Sequence, residues 1–223
     1  MAEWPKNRFV PEGADEAGVV NAPLFHPIVP GSSLPGDWFP GRIPQNIECG
    51  ENSVIDSSFC FKHFFSKVPV GARIGANVTI WRASLAPEAN AVIEIGDYCY
   101  IANASLACSS RITIGSYVHI AGGVTITDSD FHPISPAARM ADSVALSALG
   151  DRKTRPQVEV RPVVIEDDVW IGYNATILKG VRIGRGAVIA PGAVVIQNIP
   201  EDCYAFGNPA RIHEGGNVDA QPA

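Results

Sequence analysis

A six-residue period between residues 165 and 199 constrains the fold of this chain more than any other feature of the sequence. A large aliphatic residue recurs at every sixth position, and a mostly small residue follows each of them four positions later. The large positions are Ile165, Ile171, Ile177, Ile183, Ile189 and Val195, and the small positions are Val169, Ala175, Val181, Ala187, Ala193 and Ile199. A fixed short period predicts a stack of similar structural units.

The period fits short strands separated by corners. Side chains along a strand alternate between its two faces, so a small position and the next large position, two residues later, share one face. Each unit therefore predicts one short strand with two inward residues, followed by a turn at which Gly172 and Gly184 are suitable. Three units would close one triangular coil, and stacked coils would bury a continuous aliphatic column. The competing interpretation, a β-sandwich, is disfavoured by the unbroken repeat.

The pattern extends upstream with small slips. The corresponding large positions are Ile55, Phe61, Val68, Ile74, Ile80, Ile95, Ile101, Ala107, Ile114, Ile120 and Ile126. Among the small positions, Ser84, Cys99 and Ser105 are expected to face inward. The step from Ala107 to Ile114 is seven residues, which predicts one bulged residue there. We expect an all-β chain, a parallel β-helix of about six coils between residues 53 and 200.

Breaks in the period divide the chain into three parts. Residues 1–52 are rich in proline and glycine and predict an irregular arm, whose Trp4 and Trp38 either pack on the first coil or a neighbouring subunit or belong to a partly disordered tail. Residues 53–203 form the β-helix domain, with a loop insertion at about 128–162. Residues 204–223 form a C-terminal segment and a tail. A long insertion in a compact fold is more often functional than idle.

Composition excludes several classes of function. A net charge of −6 and a pI of about 5.3 argue against a nucleic-acid partner. No apolar run approaches the roughly 18 to 20 residues of a membrane span, and the first residues lack the apolar core of a signal peptide. The five cysteines are odd in number and contain no CxxC pair, which favours reduced thiols in a cytoplasmic protein.

His132 is the sharpest candidate for a catalytic residue. It lies at the start of the insertion, and Pro133 stiffens the backbone beside it. A histidine titrates near neutral pH and can remove a proton from an alcohol or an amine. The alternative is an ordinary surface histidine. His119 is expected to be a pocket wall or a subunit contact. Because no histidine, cysteine or carboxylate cluster has ligand spacing, we expect no catalytic metal.

Residues 95–213 resemble the hexapeptide-repeat O-acetyltransferases, the group that contains the maltose and galactoside acetyltransferases. The matching stretches are Ile95-Gly96-Asp97, Asn103, Ile114-Gly115, Val124-Thr125-Ile126, His132-Pro133, Val169-Trp170-Ile171-Gly172, Val181 to Gly184, Pro191-Gly192-Ala193 and Gly207-Asn208-Pro209-Ala210-Arg211. Spacing alone does not set handedness, but the resemblance implies a left-handed parallel β-helix. It also implies acetyl-CoA as the acyl donor.

The resemblance assigns a role to individual residues. His132 would be the general base that deprotonates an acceptor hydroxyl for direct attack on the thioester, and Asn103 would help to position the acceptor. The positions that would bind the cofactor are Trp170, Tyr173, Ala190, Pro191, Gln197 and Arg211. Trp170 is equally suitable for packing in a trimer, and Arg211 would hold a phosphate of CoA. Ile196-Gln197 replaces the usual Thr-Lys pair, so one phosphate contact is missing.

The same family forms homotrimers with CoA in the clefts between subunits, which implies a homotrimer here. The implied partner is a small-molecule acceptor, with a sugar or a glycoconjugate precursor favoured. Two alternatives stay open at this point. One is an N-acetyltransferase that acts on an amino sugar or an antibiotic, and the other is a non-catalytic β-helix that serves as an assembly or regulatory subunit.

Overall fold

Short strands dominate residues 25–213, the part of the chain that a computed structural model describes. Trp4 lies outside these residues. In chain order the strands are β1 (His26–Pro27), β2 (Ile47–Cys49), β3 (Val54–Ile55), β4 (Ala72–Ile74), β5 (Thr79–Trp81), β6 (Ser84–Pro87), β7 (Val92–Ile95), β8 (Tyr100–Ala102), β9 (Ser105–Cys108), β10 (Arg111–Ile114), β11 (His119–Ile120), β12 (Thr125–Thr127), β13 (Val163–Ile165), β14 (Trp170–Ile171), β15 (Thr176–Ile177), β16 (Arg182–Ile183), β17 (Val188–Ile189), β18 (Val194–Val195), β19 (Tyr204–Phe206) and β20 (Arg211–His213). One α-helix, α1 (Pro136–Leu146), and two 3₁₀ helices, Ser58–Phe61 and Arg152–Thr154, complete the described elements.

The strands form three sheets that the chain visits in rotation. Face 1 is the six-stranded sheet β2-β4-β7-β10-β13-β16, face 2 is the nine-stranded sheet β1-β3-β5-β8-β11-β14-β17-β19-β20, and face 3 is the five-stranded sheet β6-β9-β12-β15-β18. Neighbouring strands within a face are parallel, except that β1 and β20 pair antiparallel at the ends of face 2. Each coil passes from face 1 to face 2 to face 3, which confirms the predicted parallel β-helix of about six coils.

The core lies where the period places it. All the large and small positions of the repeat between residues 165 and 199 are buried. In-register pairs such as Ile120 with Ile171 and Ile171 with Ile189 continue one aliphatic column from coil to coil. Because the strands are only two residues long in this region, the inward spacing of the side chains, rather than strand length, defines the fold.

The upstream slip occurs at a different place from the predicted one. Leu106 and Cys108 point inward and Ala107 lies between them, so the expectation that Ala107 and Ser105 face the core was wrong. The steps from Ile80 to Leu85 and from Ile101 to Leu106 are each five residues, across corners at which Arg82 and Asn103 have positive φ angles of 51° and 45°. In the preceding coil, Leu85 is inward and Ser84 is only half-buried, against the same expectation.

Aromatic residues of the N-terminal arm pack on the first coil. That coil has a 3₁₀ helix, Ser58–Phe61, where the other coils have a strand of face 3. The rings of Trp38 and Phe39 lie against Phe59 of this helix, with centroids 5.1 and 5.3 Å away. The first parallel strand begins at Ile47, within the predicted arm. No helix between residues 25 and 213 has the length and apolarity needed to cross a membrane.

Candidate functional site

His132 is held by a carboxylate from the helix of the insertion. Its Nδ1 lies 2.7 Å from Oδ2 of Asp142, a residue of α1 whose side chain is only 1% exposed. Arg155 donates from Nε to the other oxygen of Asp142 at 2.7 Å and from a terminal nitrogen to the Phe131 carbonyl at 2.7 Å. The three side chains therefore form a chain, Arg155–Asp142–His132, in which the outer imidazole is 59% exposed.

The electrostatics of this chain keep Asp142 ionised. The hydrogen bonds from Arg155 and then from His132 hold the pKa of the Asp142 carboxyl below its ordinary value, and their effect exceeds the opposing effect of burial. Asp142 in turn raises the pKa of Arg155. An ionised carboxylate can only accept hydrogen bonds. Asp142 therefore stabilises the tautomer of His132 that carries its proton on Nδ1, which leaves the exposed Nε2 with a free lone pair.

The insertion is anchored to the β-helix at its root. The Asp128 carboxylate is fully buried and accepts three backbone N–H bonds, from Ser109, Ser110 and Arg111, at 2.7 to 2.8 Å. Lys179, on the next coil, makes ion pairs with Asp130 and with Glu159, one near each end of the insertion. These contacts fix the two ends of the loop where it leaves face 3 and returns to face 1.

A second group of predicted site residues lies along the corner between faces 2 and 3, which we call edge 2/3. Backbone hydrogen bonds link its levels, from Gly123 to Asn103 at 2.8 Å, from Asn174 to Gly122 at 3.0 Å and from Gly192 to Tyr173 at 2.7 Å. Asn103, Tyr173 and Pro191 are exposed on this edge. Ala190 is buried beside it; its N–H donates to the Ala205 carbonyl at 2.8 Å and its carbonyl accepts from the N–H of Ala193 at 3.2 Å.

A groove of about 570 Å³ runs beside this edge. Asn103, Trp170, Tyr173 and His119 line it, together with Trp81 and Arg82. Trp170 points outward from face 2 and pairs in register with His119, so both lie in a pocket wall on this face. The remaining predicted cofactor residues lie elsewhere. Arg211 is exposed in β20 at the far end of face 2, and Gln197 is exposed after β18.

The predicted catalytic residues lie on different corners of one chain. The insertion that carries His132 follows β12 of face 3 and precedes β13 of face 1, so it belongs to the corner we call edge 3/1. Gln197 follows β18 and lies on the same edge. His132 does not line the groove of Asn103. His132 and Asn103 therefore lie on different edges and do not share this groove.

The sequence did not single out Asp142 or Arg82 as members of a site, and it did not connect Arg155 with His132. Asp142 and Arg155 were visible only as charges in a long insertion, and no spacing rule connects residues across a loop with a helix in it. Arg82 lies between Ile80 and Ser84 of the upstream repeat, at a position to which the repeat assigns no role. Between residues 25 and 213, no three histidine, cysteine or carboxylate side chains are grouped so that they could hold a metal ion.

Comparison with known proteins agrees with the repeat. Residues 162–197 match the family model for the bacterial transferase hexapeptide (six repeats). This stretch is a bacterial transferase hexapeptide repeat. The chain is also similar to the 2,3,4,5-tetrahydropyridine-2,6-dicarboxylate N-acetyltransferase of Staphylococcus aureus (strain JH9), with 55% identity over 51 residues. That match covers 23% of this chain and spans only 21% of the enzyme's length.

Solved structures extend the likeness to most of the fold. The N-acyltransferase AntD from Bacillus cereus, in complex with dTDP and 3-hydroxybutyryl-CoA, superposes with a TM-score of 0.59 over 78% of this chain and 86% of that chain, at 20% identity. The galactoside acetyltransferase in complex with coenzyme A is 30% identical, covering 57% of this chain and 56% of that chain, with a TM-score of 0.47. The predicted left-handed β-helix of the hexapeptide-repeat type is confirmed.

Proposed function

We propose that this protein is a CoA-dependent acetyltransferase that moves the acetyl group of acetyl-CoA to a hydroxyl of a sugar or glycoconjugate precursor. The observation that carries the proposal is His132, with Nδ1 at 2.7 Å from a buried and ionised Asp142. A general base needs a free lone pair and a fixed ring. The Arg155–Asp142–His132 chain supplies both, on a loop that is anchored at each end.

In the proposed reaction, Nε2 of His132 takes the proton of the acceptor hydroxyl as its oxygen attacks the thioester carbonyl. The tetrahedral intermediate then collapses, the C–S bond breaks, and the CoA thiolate leaves. The imidazolium returns its proton to this thiolate, so the enzyme ends the cycle unchanged. Asp142 stabilises the imidazolium during the reaction because opposite charges at hydrogen-bond distance favour the charged form. No acyl-enzyme forms, so no nucleophilic serine or cysteine is required.

The site is proposed to form between two copies of a homotrimer. Edge 3/1 of one copy would bring His132 and Gln197, and edge 2/3 of its neighbour would bring Asn103 and Tyr173. The pantetheine arm of CoA would follow edge 2/3 past Ala190 and Pro191, where the Pro191 carbonyl can accept a hydrogen bond from one of its amides. Arg211 and the wall around Trp170 lie on the adjoining face 2. A closed cyclic assembly would give three equivalent sites.

Acetylation of an amine is the second candidate. The match to an N-acetyltransferase over 51 residues favours it, and the same base could deprotonate an ammonium group before attack. A screen with acetyl-CoA decides between the two by following free thiol release across sugars, nucleotide sugars and amino sugars. If no acceptor is turned over and calorimetry detects no CoA binding by the folded protein, the β-helix is an assembly or regulatory subunit instead.

Replacing His132 with alanine tests the base directly. We expect kcat to fall by roughly 10²- to 10⁴-fold, the usual contribution of a general base, while the KM for acetyl-CoA changes little. His63→Ala is the matched control, because His63 is also exposed but lies in the first coil, outside the 570 Å³ groove. Turnover of His132→Ala equal to that of the control would remove His132 from this role.

Subunit complementation tests the shared site. His132→Ala and Asn103→Ala chains would each be nearly inactive alone. When the two are coexpressed and assembled together, some clefts combine an intact His132 from one chain with an intact Asn103 from the other. Activity well above that of either parent is therefore expected. Activity no greater than the average of the parents, in a verified mixed trimer, would refute a site built from two copies.

A further inference from the structure

Two cavities meet on edge 2/3, at Arg82 and Asn103. The larger is the 570 Å³ groove described above. The smaller, of about 290 Å³, lies toward the N-terminal coils and is lined by Trp38, Asp56, Ser57, Phe59 and Cys60, as well as by Arg82 and Asn103. Tyr173 and Pro191, where the pantetheine arm is proposed to run, lie on the C-terminal side of Asn103. The smaller cavity is therefore on the side of Asn103 that remains for the acceptor.

The wall between the cavities carries a cation without a carboxylate partner. Six arginines of residues 25–213 have a carboxylate oxygen within 4.0 Å, namely Arg73, Arg111, Arg155, Arg161, Arg182 and Arg185. Arg82 is exposed and makes no such pair within the described residues, and its guanidinium lies 5.4 Å from the Trp81 ring centroid. Its backbone has a positive φ of 51° and donates its N–H to Asp56 Oδ1 at 2.8 Å. The fixed backbone holds this cation at the junction of the cavities.

A donor without an acceptor lies beside this cation. Nε1 of Trp81 is buried and has no hydrogen-bond partner among the described residues, and Trp81 lines the larger cavity next to Arg82. A buried donor that stays unpaired is costly. A guanidinium group is a donor only, so Arg82 favours a ligand rich in acceptor oxygens. The buried Nε1 of Trp81 does not line the smaller cavity and is not counted among the groups that bind this ligand.

Two aromatic side chains, Trp38 and Phe59, also line the smaller cavity. The Trp38 side chain is 68% exposed, yet its ring is packed against Phe59 and Phe39, at centroid distances of 5.1 and 6.0 Å. A held, exposed indole offers a flat surface for the apolar face of a sugar ring. Asp56 and Asn103 supply oxygens that can accept hydrogen bonds from hydroxyls. The negative charge of Asp56 would repel a second anionic group of the ligand placed away from Arg82.

We infer that the acceptor is a sugar that carries one anionic group, a carboxylate or a phosphate, bound by Arg82 with the sugar ring lying on Trp38. This inference rests on the proposed function, because Asn103 is taken as the point at which the reacting hydroxyl is positioned. Arginine binds both carboxylate and phosphate through two parallel N–H bonds. Arg82 would select ligands that carry a negative charge, and Trp38 would select ligands that carry a sugar ring.

Binding without turnover tests the inference. The probes are glucuronate, glucose 6-phosphate and glucose, titrated by calorimetry into the full-length protein without acetyl-CoA. We expect the wild type to bind at least one anionic sugar and to bind glucose at least tenfold more weakly. Arg82→Gln should weaken binding of the anionic sugar by roughly 10- to 100-fold, as expected for loss of a hydrogen bond between charged groups. Trp38→Ala should weaken binding of every sugar that is detected.

Two control variants remove a comparable charge and a comparable aromatic ring at positions away from the two cavities. Arg73→Gln removes a positive charge from face 1, and Phe65→Ala removes an exposed ring; neither residue lines the two cavities. Both should bind like the wild type. Binding of glucuronate alone, or of glucose 6-phosphate alone, supports the inference and identifies the anionic group. Equal binding of glucose, equal loss in Arg73→Gln, or no binding of any probe overturns it.

The proposed function has a separate readout. If neutral sugars support acetyl-CoA-dependent thiol release and Arg82→Gln does not change it, the proposed acetyltransferase activity stands and the anionic acceptor is refuted. If an anionic sugar binds but no acceptor gives thiol release, the anionic-sugar site stands and the proposed acetyltransferase activity is refuted.

Discussion

Asp142→Asn isolates the contribution of the carboxylate to the base. Asparagine preserves the size of the side chain but has an NH₂ group where Asp142 now has an acceptor oxygen. If that NH₂ faces His132, the ring must accept at Nδ1, and its proton moves to Nε2. The nitrogen that should act as the base is then already protonated. The change therefore acts on the tautomer and charge of His132 rather than on its position.

The structure sets the expected size of the effect. The hydrogen bond that is lost is a charge-assisted one of 2.7 Å, and bonds of this kind correspond to a rate change of roughly 10- to 100-fold. Because 59% of the His132 side chain is exposed, water can partly replace the carboxylate. We therefore expect the lower part of that range, with kcat reduced and the KM for acetyl-CoA unchanged.

The assay is a double-mutant cycle on thiol release. If Asp142 acts through His132, Asp142→Asn should add almost nothing to His132→Ala. Asp151→Asn is the matched control, because Asp151 is an exposed carboxylate of the same insertion that caps the 3₁₀ helix Arg152–Thr154. A kcat of Asp142→Asn equal to that of Asp151→Asn would refute the reasoning. Full additivity with His132→Ala would show that Asp142 acts only through the fold.

Two further predictions concern the scaffold. Ile171→Ala, at a fully buried position with Ile120 and Ile189 in register on either side, should lower the free energy of unfolding by about 2–5 kcal/mol in urea titrations; Thr176→Ala, on the outward side of the same coil, should change it far less. Burial raises the pKa of the Cys60 and Cys108 thiols to about 12 each, so the native state disfavours their thiolates. The protonated thiols therefore contribute fully to the free energy of unfolding below the ordinary thiol pKa of about 8.5, and this contribution is lost as the pH rises toward 12. Carbamidomethylation followed by mass spectrometry should leave both thiols unmodified at pH 8 and label them only with alkaline unfolding, as judged by circular dichroism; labelling of the folded protein at pH 8 would contradict this.

The repeat was predictable because its cause is local. A side chain two residues from another lies on the same side of a strand, whatever surrounds it, so residues 165–199 specify their own inward positions. The upstream register was less predictable. Two steps, from Ile80 to Leu85 and from Ile101 to Leu106, are one residue short, and the sequence offers several residues that could absorb such a slip. Ala107 was therefore placed inward although Leu106 and Cys108 fill the core.

The site was only partly predictable, because its residues are joined by the fold and not by spacing. The sequence singled out His132 from its place at a break in the repeat. It did not pair His132 with Asp142, since that contact depends on how α1 folds back over the insertion, nor did it pair Arg82 with Trp38, which lie 44 positions apart. The first pairing is a contact within the insertion, and the second is a shared cavity between segments that the stacked coils place side by side.

The residues alone are enough to predict a β-helix, because its period comes from strand geometry and burial. They also determine where that architecture is interrupted. The tertiary structure alone decided which charges meet, that Asp142 is buried between Arg155 and His132, and that His132 and Asn103 lie on different edges. The physical reason is that burial and hydrogen bonding between distant segments depend on the path of the chain through three faces, whereas the inward pattern depends on neighbours two residues apart.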